Sequence, residues 1–405
     1  MTMTGVRPRV LRFFVRAWPL LGALAILGVM PVLLSTTRNG RVAVEASIFL
    51  PDMVLQVPLP FRPVDLISDA PKRERVTISY ESRNGPRSID ADLYLPAQGG
   101  HHVGVVFSMG SPPLSLDDHR LVRIAEDASR SGVVMLVPFS DRLDNLRIEP
   151  EEIDALVAEF QYVQQLPQVD AKRVGFFGAS VGGSLALVAA GDPRIADEVD
   201  HVVSFGGYFD ALTAFGAIAT HHIQYKDVDE SWTPKPHAEH VIARQLINQL
   251  ADPHDRDLLI ERLAPDDIDV RADPASVTPE DLASLTPAGR TAYNFLANRD
   301  PNAVADLIRT LPADEIARFD YLSPKTSIDR VKADLFILHD RADPFVPYTE
   351  SRLMKDVVGD RTNAHFDELR LFEHVSPKLN QRPEIVALDS TRLLFRLYQL
   401  LLRWD

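Results

Sequence analysis

The chain has 405 residues, of which 45% are hydrophobic and 25% charged, a composition typical of a folded globular protein. Acidic residues outnumber basic ones, 57 to 43, and the formal net charge of −14 argues against a nucleic-acid partner, for which a basic face is expected. The chain contains no cysteine, which excludes disulfides, thiolate nucleophiles and cysteine-ligated metals.

The first 35 residues differ in composition from the rest. Four arginines, with no acidic residue among them, precede an uncharged run from Ala17 to Leu34. This run is just long enough to cross a hydrocarbon core of about 30 Å as a helix. The basic flank predicts that the chain after residue 35 lies outside the cytoplasm. We expect residues 1–35 to anchor the protein in a membrane. A cleaved signal peptide, with secretion, is the alternative, although no clear A-x-A site follows the run.

Residues 36–75 are predicted to be a linker. Five prolines lie in this segment, at Pro51, Pro58, Pro60, Pro63 and Pro71. Such a composition favours extended, semi-rigid chain over a core element.

Strands and helices are predicted to alternate between residues 76 and 209. The predicted strands are Val76–Tyr80, Ile89–Leu95, Val103–Met109, Val133–Pro138, 173–178 and Val202–Phe205. Predicted helices are Leu121–Ser129, Pro150 to about Gln165, and 180–190. This alternation predicts an α/β fold with a mainly parallel sheet that helices cover on both faces.

The alternation stops between residues 210 and 329, where helix-period segments occur without a convincing strand. It resumes in residues 330–405. The elements predicted there are strand Leu335–His339, helix Tyr348–Val357, strand Leu369–Phe372 and a long helix from about Glu384. Because the sheet pattern resumes, residues 210–329 are predicted to be a helical cap inserted into one α/β core.

A G-x-S-x-G pattern, Gly178–Gly182, follows the apolar strand Val174–Phe177 and precedes an Ala/Leu-rich helix. Strand, sharp turn and helix are the context that a nucleophile elbow requires. Glycines suit the positions on either side of the serine because a β-carbon there would meet neighbouring backbone. A competing interpretation is that the small residues only allow the helix to pack closely on the strand. The pattern nevertheless makes Ser180 the candidate nucleophile.

A serine hydroxyl needs a base, and the base needs an orienting acid. On this arrangement the acid and the histidine follow the serine in chain order. The strand after the insertion ends in the segment His339–Pro347, and the next strand ends in Glu373-His374. Both segments lie at carboxyl ends of strands, where ligands meet an open α/β sheet.

With these residues the chain resembles the α/β-hydrolase superfamily, specifically its dienelactone-hydrolase and prolyl-oligopeptidase-like esterases and peptidases. The resemblance covers roughly residues 74–405 apart from the insertion. In that family the segment after the seventh strand commonly reads H-G-x-x-D-x-x-V-P, and His339–Pro347 matches it except that Asp340 replaces glycine. The resemblance implies an eight-stranded α/β-hydrolase sheet, with Asp343 as the acid and His374 as the base.

The oxyanion of such a reaction needs two backbone N–H donors. One is expected at Val181, directly after the nucleophile. The second is expected in the turn after the third strand, where the family usually has His-Gly and this chain has Met109-Gly110. Pro112 and Pro113 have no N–H to donate. Ser111 is therefore predicted as the second donor, with Gly110 as the alternative.

These residues predict a serine hydrolase that cleaves carboxylic esters through an acyl-enzyme, with a small-molecule ester or peptide as substrate. A serine peptidase of the same fold, a non-catalytic binding scaffold and acyl transfer to another acceptor are the alternatives. No cofactor is predicted. No metal site is predicted either, because H-E-x-x-H or a similar spacing does not occur.

Overall fold

The computed structural model describes residues 36–57 and 62–404. The predicted anchor, residues 1–35, lies outside this range. Within the described residues, no helix has the length and the apolar character needed to cross a membrane.

An eight-stranded sheet forms the centre of the molecule, in the order β1-β2-β4-β3-β5-β6-β9-β10. Its strands are β1 Lys72–Ser82, β2 Gly85–Leu95, β3 His102–Ser108, β4 Val133–Phe139, β5 Val169–Ala179, β6 Val199–Phe205, β9 Asp334–Asp340 and β10 Ala364–Leu369. Strand β2 is antiparallel to both β1 and β4, and all other pairs are parallel. The mainly parallel eight-stranded sheet predicted from the sequence is confirmed.

Helices cover both faces of the sheet. The α-helices of the described residues, in chain order, are α1 Arg38–Phe49, α2 His119–Arg130, α3 Asp141–Asp144, α4 Glu151–Gln164, α5 Val181–Ala190, α6 Ala211–Thr220, α7 Pro236–Ile247, α8 Pro253–Leu263, α9 Pro279–Ser284, α10 Pro287–Leu296, α11 Val304–Thr310, α12 Ala313–Tyr321, α13 Thr349–Val358 and α14 Pro383–Trp404, and of these α6 to α12 belong to the inserted region. Along β5, Phe176 joins the core with α4 and α5, and its neighbour Phe177 packs on the opposite face with α2 and α14. Because both faces are covered, the central strands are almost continuously apolar.

Residues 36–75 were predicted to be a linker, but this segment contains helix α1. Val42, Ala46 and Phe49 are buried at helical spacing and belong to the same core cluster as Leu397 of α14. A single turn of π-helix, Leu50–Val54, follows and lies against α2 and α14. The prolines that suggested a linker all lie after residue 50, so they do not interrupt α1.

Two predicted strand assignments also need correction. The inserted region is not purely helical, since β7 His222–Tyr225 and β8 Val228–Ser231 form a hairpin there. Its strands have only four residues each, too few to show an alternating pattern. The last strand of the sheet is β10 rather than Leu369–Phe372. As an edge strand it is mostly half-buried and carries Asp367 and Glu368, so the apolar run expected of a strand is missing.

Two short strands follow β10 and complete the fold around the candidate site. Strands β11 Phe372–Glu373 and β12 Ser376–Pro377 pair antiparallel. His374 lies in the turn between them with a φ of 60°, in the left-handed region. This turn holds the predicted base beside the carboxyl ends of the main strands.

We predict that α1 is an integral part of the core. Truncating Phe49, which is 2% exposed, by Phe49→Ala should lower the free energy of unfolding by about 3 kcal/mol, because a large buried side chain is lost. Ser47 is exposed on the same helix, and Ser47→Ala should change stability by less than about 0.5 kcal/mol. Urea denaturation measures both. Equal effects of the two substitutions would contradict a structural role for α1.

Candidate active site

Ser180 occupies a sharp turn between β5 and α5. Its backbone has a φ of 57° and a ψ of −134°, a conformation that is costly for a residue with a side chain. The Ser180 N–H donates to the carbonyl of Phe205 on β6, at 2.8 Å, and the Ser180 carbonyl accepts the Gly183 N–H, at 2.9 Å. The turn is therefore held from both sides, and it presents Ser180 at the carboxyl edge of the sheet, above the N-terminus of α5.

The two glycines of the pattern allow this turn by close backbone approach. A β-carbon at Gly178 would lie 2.4 Å from the Gly183 Cα, and one at Gly182 would lie 2.2 Å from the Ser108 carbonyl oxygen. No side chain fits at either distance. The glycines are thus required by the geometry of the elbow, as the sequence pattern predicts.

Asp343 and His374 form a buried hydrogen-bonded pair. The Nδ1–H of His374 donates to Asp343 Oδ2 at 2.5 Å. The other carboxylate oxygen, Oδ1, accepts the backbone N–H groups of Phe345 and Val346 at 2.7 and 3.1 Å. His374 Nε2 is buried and makes no hydrogen bond to any residue that the structure describes. With the proton on Nδ1, Nε2 is the nitrogen free to act as a base.

Electrostatics keep Asp343 ionised. Burial by itself would raise its pKa, but the electrostatic interaction with His374 and the hydrogen bonds from His339 and His374 outweigh burial and lower the pKa of Asp343 below its ordinary value. The second histidine is His339, whose Nε2 lies 3.4 Å from Asp343 Oδ2 and 3.1 Å from the Val346 carbonyl oxygen. An ionised carboxylate only accepts hydrogen bonds, so it orients His374 in the tautomer described above.

Asp340, the residue that departs from the family pattern, connects the acid turn with the histidine segment. Its Oδ1 accepts the Ala342 N–H at 2.8 Å, and its Oδ2 accepts the Phe372 N–H at 2.9 Å. The same carboxylate thus contacts the backbone next to Asp343 and the backbone two residues before His374. Asp340 acts through these contacts as a positioning residue.

The turn after β3 lies against the nucleophile. A β-carbon at Gly110 would be 2.9 Å from the Ser180 Cβ and 3.2 Å from its Oγ. Ser111 is buried, and its Oγ donates to the Leu143 carbonyl at 2.7 Å. Val181 is the first residue of α5, where backbone N–H groups lack intrahelical partners. Of the predicted oxyanion donors, Val181 follows Ser180 directly, and Ser111 follows Gly110, the alternative donor, which is the residue of this turn that lies against Ser180.

One segment of the cap, Trp232–His237, contacts the loops of the site, and we call it the cap latch. The Trp232 Nε1–H donates to the Asp343 carbonyl at 3.0 Å. The Lys235 N–H donates to the Pro344 carbonyl at 2.7 Å. These contacts tie the cap to the turn that carries the acid.

His237, at the end of the cap latch, contacts the turn after β3. Its Nε2 lies 2.9 Å from the Ser111 carbonyl oxygen, so this nitrogen carries the proton and donates it. Burial lowers the pKa of His237, which favours the neutral ring. Its ring meets Phe345 edge to face at 5.6 Å, and Phe345 in turn packs on His374 at 4.8 Å. His237 thus links the turn after β3 to His374 through the ring of Phe345.

A cavity of about 530 Å³ opens at Ser180 and His374, both of which line it. Its size is that of a small-molecule site. The wall is mostly hydrophobic, and its charged side chains are paired: Arg120 with Asp118, Arg396 with Asp367, and Glu373 with Lys235.

In the described part of the chain, no group of three or more acidic or histidine side chains is arranged to hold a metal ion.

The structure therefore brings Ser180, Asp343 and His374 to one edge of the sheet, where Val181 and Ser111 line the same cavity as Ser180. His237, Asp340 and Trp232 were not singled out from the sequence as parts of the site. Nothing in their spacing marks them, because two of them come from the cap and the third replaces a glycine of the family pattern.

Comparison with known proteins finds no matching family model. The chain is 31% identical over 140 residues to the hydrolase acrC of Aspergillus aculeatus, and 31% identical over 139 residues to the hydrolyase poxO of Penicillium oxalicum. These matches cover 30% and 31% of this chain and 32% of each relative, so the chain spans about a third of the length of the curated relatives it matches.

Similar solved structures are esterases and peptidases. They include a hyperthermophilic esterase from Pyrobaculum calidifontis, with 15% identity, a TM-score of 0.41 and coverage of 91% of this chain and 92% of that chain. An acylaminoacyl peptidase from Pyrococcus horikoshii has 13% identity and a TM-score of 0.46, over 84% and 43% of the two chains. A puromycin-hydrolysing peptidase from Mycobacterium tuberculosis has 16% identity and a TM-score of 0.47, over 85% and 41%. The α/β-hydrolase fold itself is evident in this chain's own strand order and elbow.

The protonation of Asp340 gives a testable pH dependence. Burial raises the pKa of Asp340 to about 6, although its two backbone hydrogen bonds lower it. Because this value exceeds the ordinary one of about 4, the folded state binds the proton more tightly, and the resulting stability is lost as pH rises through this window. The free energy of unfolding of wild type, relative to Asp340→Asn, should fall by roughly 2 to 3 kcal/mol between pH 4 and pH 7.

Urea denaturation of the two proteins at several pH values measures this difference, and the other titrating groups largely cancel in it. A difference that does not change with pH would show that Asp340 keeps an ordinary pKa in the folded protein.

Proposed function

We propose that this protein is a serine hydrolase that cleaves carboxylic esters through an acyl-enzyme, with Ser180, His374 and Asp343 as its triad. One observation carries the proposal. His374 is held through Nδ1 by a buried, ionised Asp343. Its Nε2, which has no hydrogen-bond partner among the described residues, belongs to the same cavity wall as the strained Ser180. Hydrogen bonds of a catalytic site are often long in the absence of substrate and tighten when it binds, so a serine not yet bonded to the histidine fits this role.

The chemistry follows from these positions. As Ser180 Oγ attacks the ester carbonyl carbon, its proton passes to His374 Nε2, and the carbonyl oxygen becomes an oxyanion facing the N–H groups of Val181 and Ser111. Collapse of this intermediate breaks the bond to the alcohol, which leaves with the proton from His374. Water then attacks the acyl-serine with the same base, which releases the acid and restores Ser180.

The lining of the cavity favours esters over peptides. A peptide substrate presents polar amides and, at a terminus, a charge that needs a partner. The charged side chains on the described wall already have partners, and the remainder of the wall is predominantly hydrophobic. An uncharged ester matches this wall better. Turnover of p-nitrophenyl esters against aminoacyl p-nitroanilides separates the esterase from the alternative peptidase.

The identity of the nucleophile is tested with a fluorophosphonate probe. Wild type should be labelled on Ser180, and Ser180→Ala should not be labelled. Ser376 lies on the same cavity wall but is not part of the triad, so Ser376→Ala is a matched control that should label as wild type does. Asp343→Asn should label about 10³-fold to 10⁴-fold more slowly, because the histidine loses its tautomer. Labelling that persists in Ser180→Ala would refute the proposal.

The link through His237 is tested by two substitutions. His237→Ala leaves the Ser111 carbonyl without its donor, and a lost buried hydrogen bond of this kind should lower kcat for p-nitrophenyl butyrate about tenfold. His237→Gln places an amide N–H near the position of Nε2 and should recover most of that loss. Steady-state kinetics measure both variants. A kcat in His237→Ala equal to that of wild type, or no recovery with glutamine, would contradict a positioning role.

A further inference from the structure

The cavity at Ser180 continues into the layer between the sheet and helices α2 and α14. We call this part the chain tunnel. It is lined by Phe107, Phe177 and Phe336 from the sheet, by Ile124 and Ala128 from α2, and by Leu397 from α14. All three phenylalanines lie on the sheet face opposite to the one that packs on α4 and α5. The tunnel is therefore a different part of this cavity from the part that faces the cap.

The chain tunnel spans most of the depth of the sheet. Helix α14 begins near the carboxyl edge, where Asp389 accepts the N–H of Arg370, and it ends at the opposite edge, where Arg403 pairs with Asp200 and Asp334 at the starts of β6 and β9. Its lining residues run from Leu393 to Trp404, about 16 Å along the helix axis. The cavity-lining residues of α2 run from Arg120 to Ala128, about 12 Å along the helix axis.

The segment after α1 also contributes to the wall of the tunnel. Val54 and Gln56 line the cavity there, and the Leu50–Val54 turn lies against both α2 and α14. The charge of Arg396 on the tunnel wall is neutralised by Asp367, and its guanidinium also donates to Gln399 at 2.7 Å. The tunnel wall is thus a long, predominantly hydrophobic surface that starts at Ser180.

We propose that the chain tunnel binds the hydrocarbon chain of a long-chain acyl ester, so that Ser180 acts on esters of fatty acids. This inference rests on the proposed function and adds the substrate class to it. A hydrocarbon chain matches the hydrophobic lining and its length along α14, and each buried methylene is worth about fourfold in affinity. The cap side of the cavity, near Phe215 and Val241, is left for the alcohol part of the ester.

The substrate class is tested with p-nitrophenyl acetate, butyrate, octanoate and laurate. In wild type, kcat/KM should rise with chain length. Ala128→Phe places a ring in the tunnel and should lower kcat/KM for laurate about tenfold or more, while acetate changes less than about twofold. Ala238 is an equally small residue on the cap side of the same cavity, so Ala238→Phe is the matched control and should leave the laurate-to-acetate ratio unchanged.

The possible outcomes separate the two proposals. If acetate is cleaved but kcat/KM does not depend on chain length, or if Ala128→Phe lowers acetate and laurate equally, the chain tunnel is overturned and the serine hydrolase stands. If no ester is cleaved and Ser180 is not labelled by the fluorophosphonate, the proposed function itself fails.

A binding measurement keeps the inference testable if the Ala128→Phe protein does not fold. Trp404 lies at the far end of the tunnel from Ser180, and bromine quenches tryptophan fluorescence at short range. In the Ser180→Ala protein, dodecanoic acid brominated at its terminal carbon should quench the emission that Trp404→Phe removes. The same acid brominated next to its carboxyl group should quench it much less. Equal quenching by both acids, or quenching by neither, would overturn the proposal.

Discussion

The geometry of the site depends on the hydrogen bonds that the buried carboxylate of Asp343 accepts. A charge removed from water is costly unless hydrogen bonds and an opposite charge compensate it. Here two backbone N–H groups of its own turn hold one oxygen, and His374 and His339 lie on the other. These contacts determine where the histidine ring points. The cap latch, Asp340 and the turn around His374 support the same arrangement.

The two faces of the sheet are packed differently. On one face, α4 and α5 pack tightly on the strands, and α5 also carries the elbow. On the other face, the core divides into two clusters, one with α2 and one with α14, and the cavity lies between them. Close packing is the ordinary state of a protein interior, and the cavity that extends into this helix–sheet layer is an exception to it, which the proposed chain tunnel explains. The opening begins at the serine, which connects it with catalysis.

The sequence predicted which residues the structure brings together at the candidate site, but not the residues that surround them. Ser180, Asp343 and His374 each follow a strand of a mainly parallel sheet, so chain order alone brings them to one edge. The residues that contact them could not be predicted in this way, since His237 and Trp232 belong to the cap and reach the site only through its fold. The chain tunnel was equally hidden. Phe107, Phe177 and Leu397 are ordinary core residues in a sequence, and only the structure shows that they line a cavity.

A crystal structure of the protein inactivated by an alkyl phosphonate fluoride with a long alkyl chain tests the central claim most directly. The account predicts phosphorus bonded to Ser180 Oγ, with one phosphonyl oxygen accepting the N–H groups of Val181 and Ser111. It also predicts His374 Nε2 within hydrogen-bond distance of an oxygen of the adduct, and the alkyl chain between α2 and α14. Phosphorus on another residue, or His374 turned away from the adduct with its bond to Asp343 broken, would contradict it.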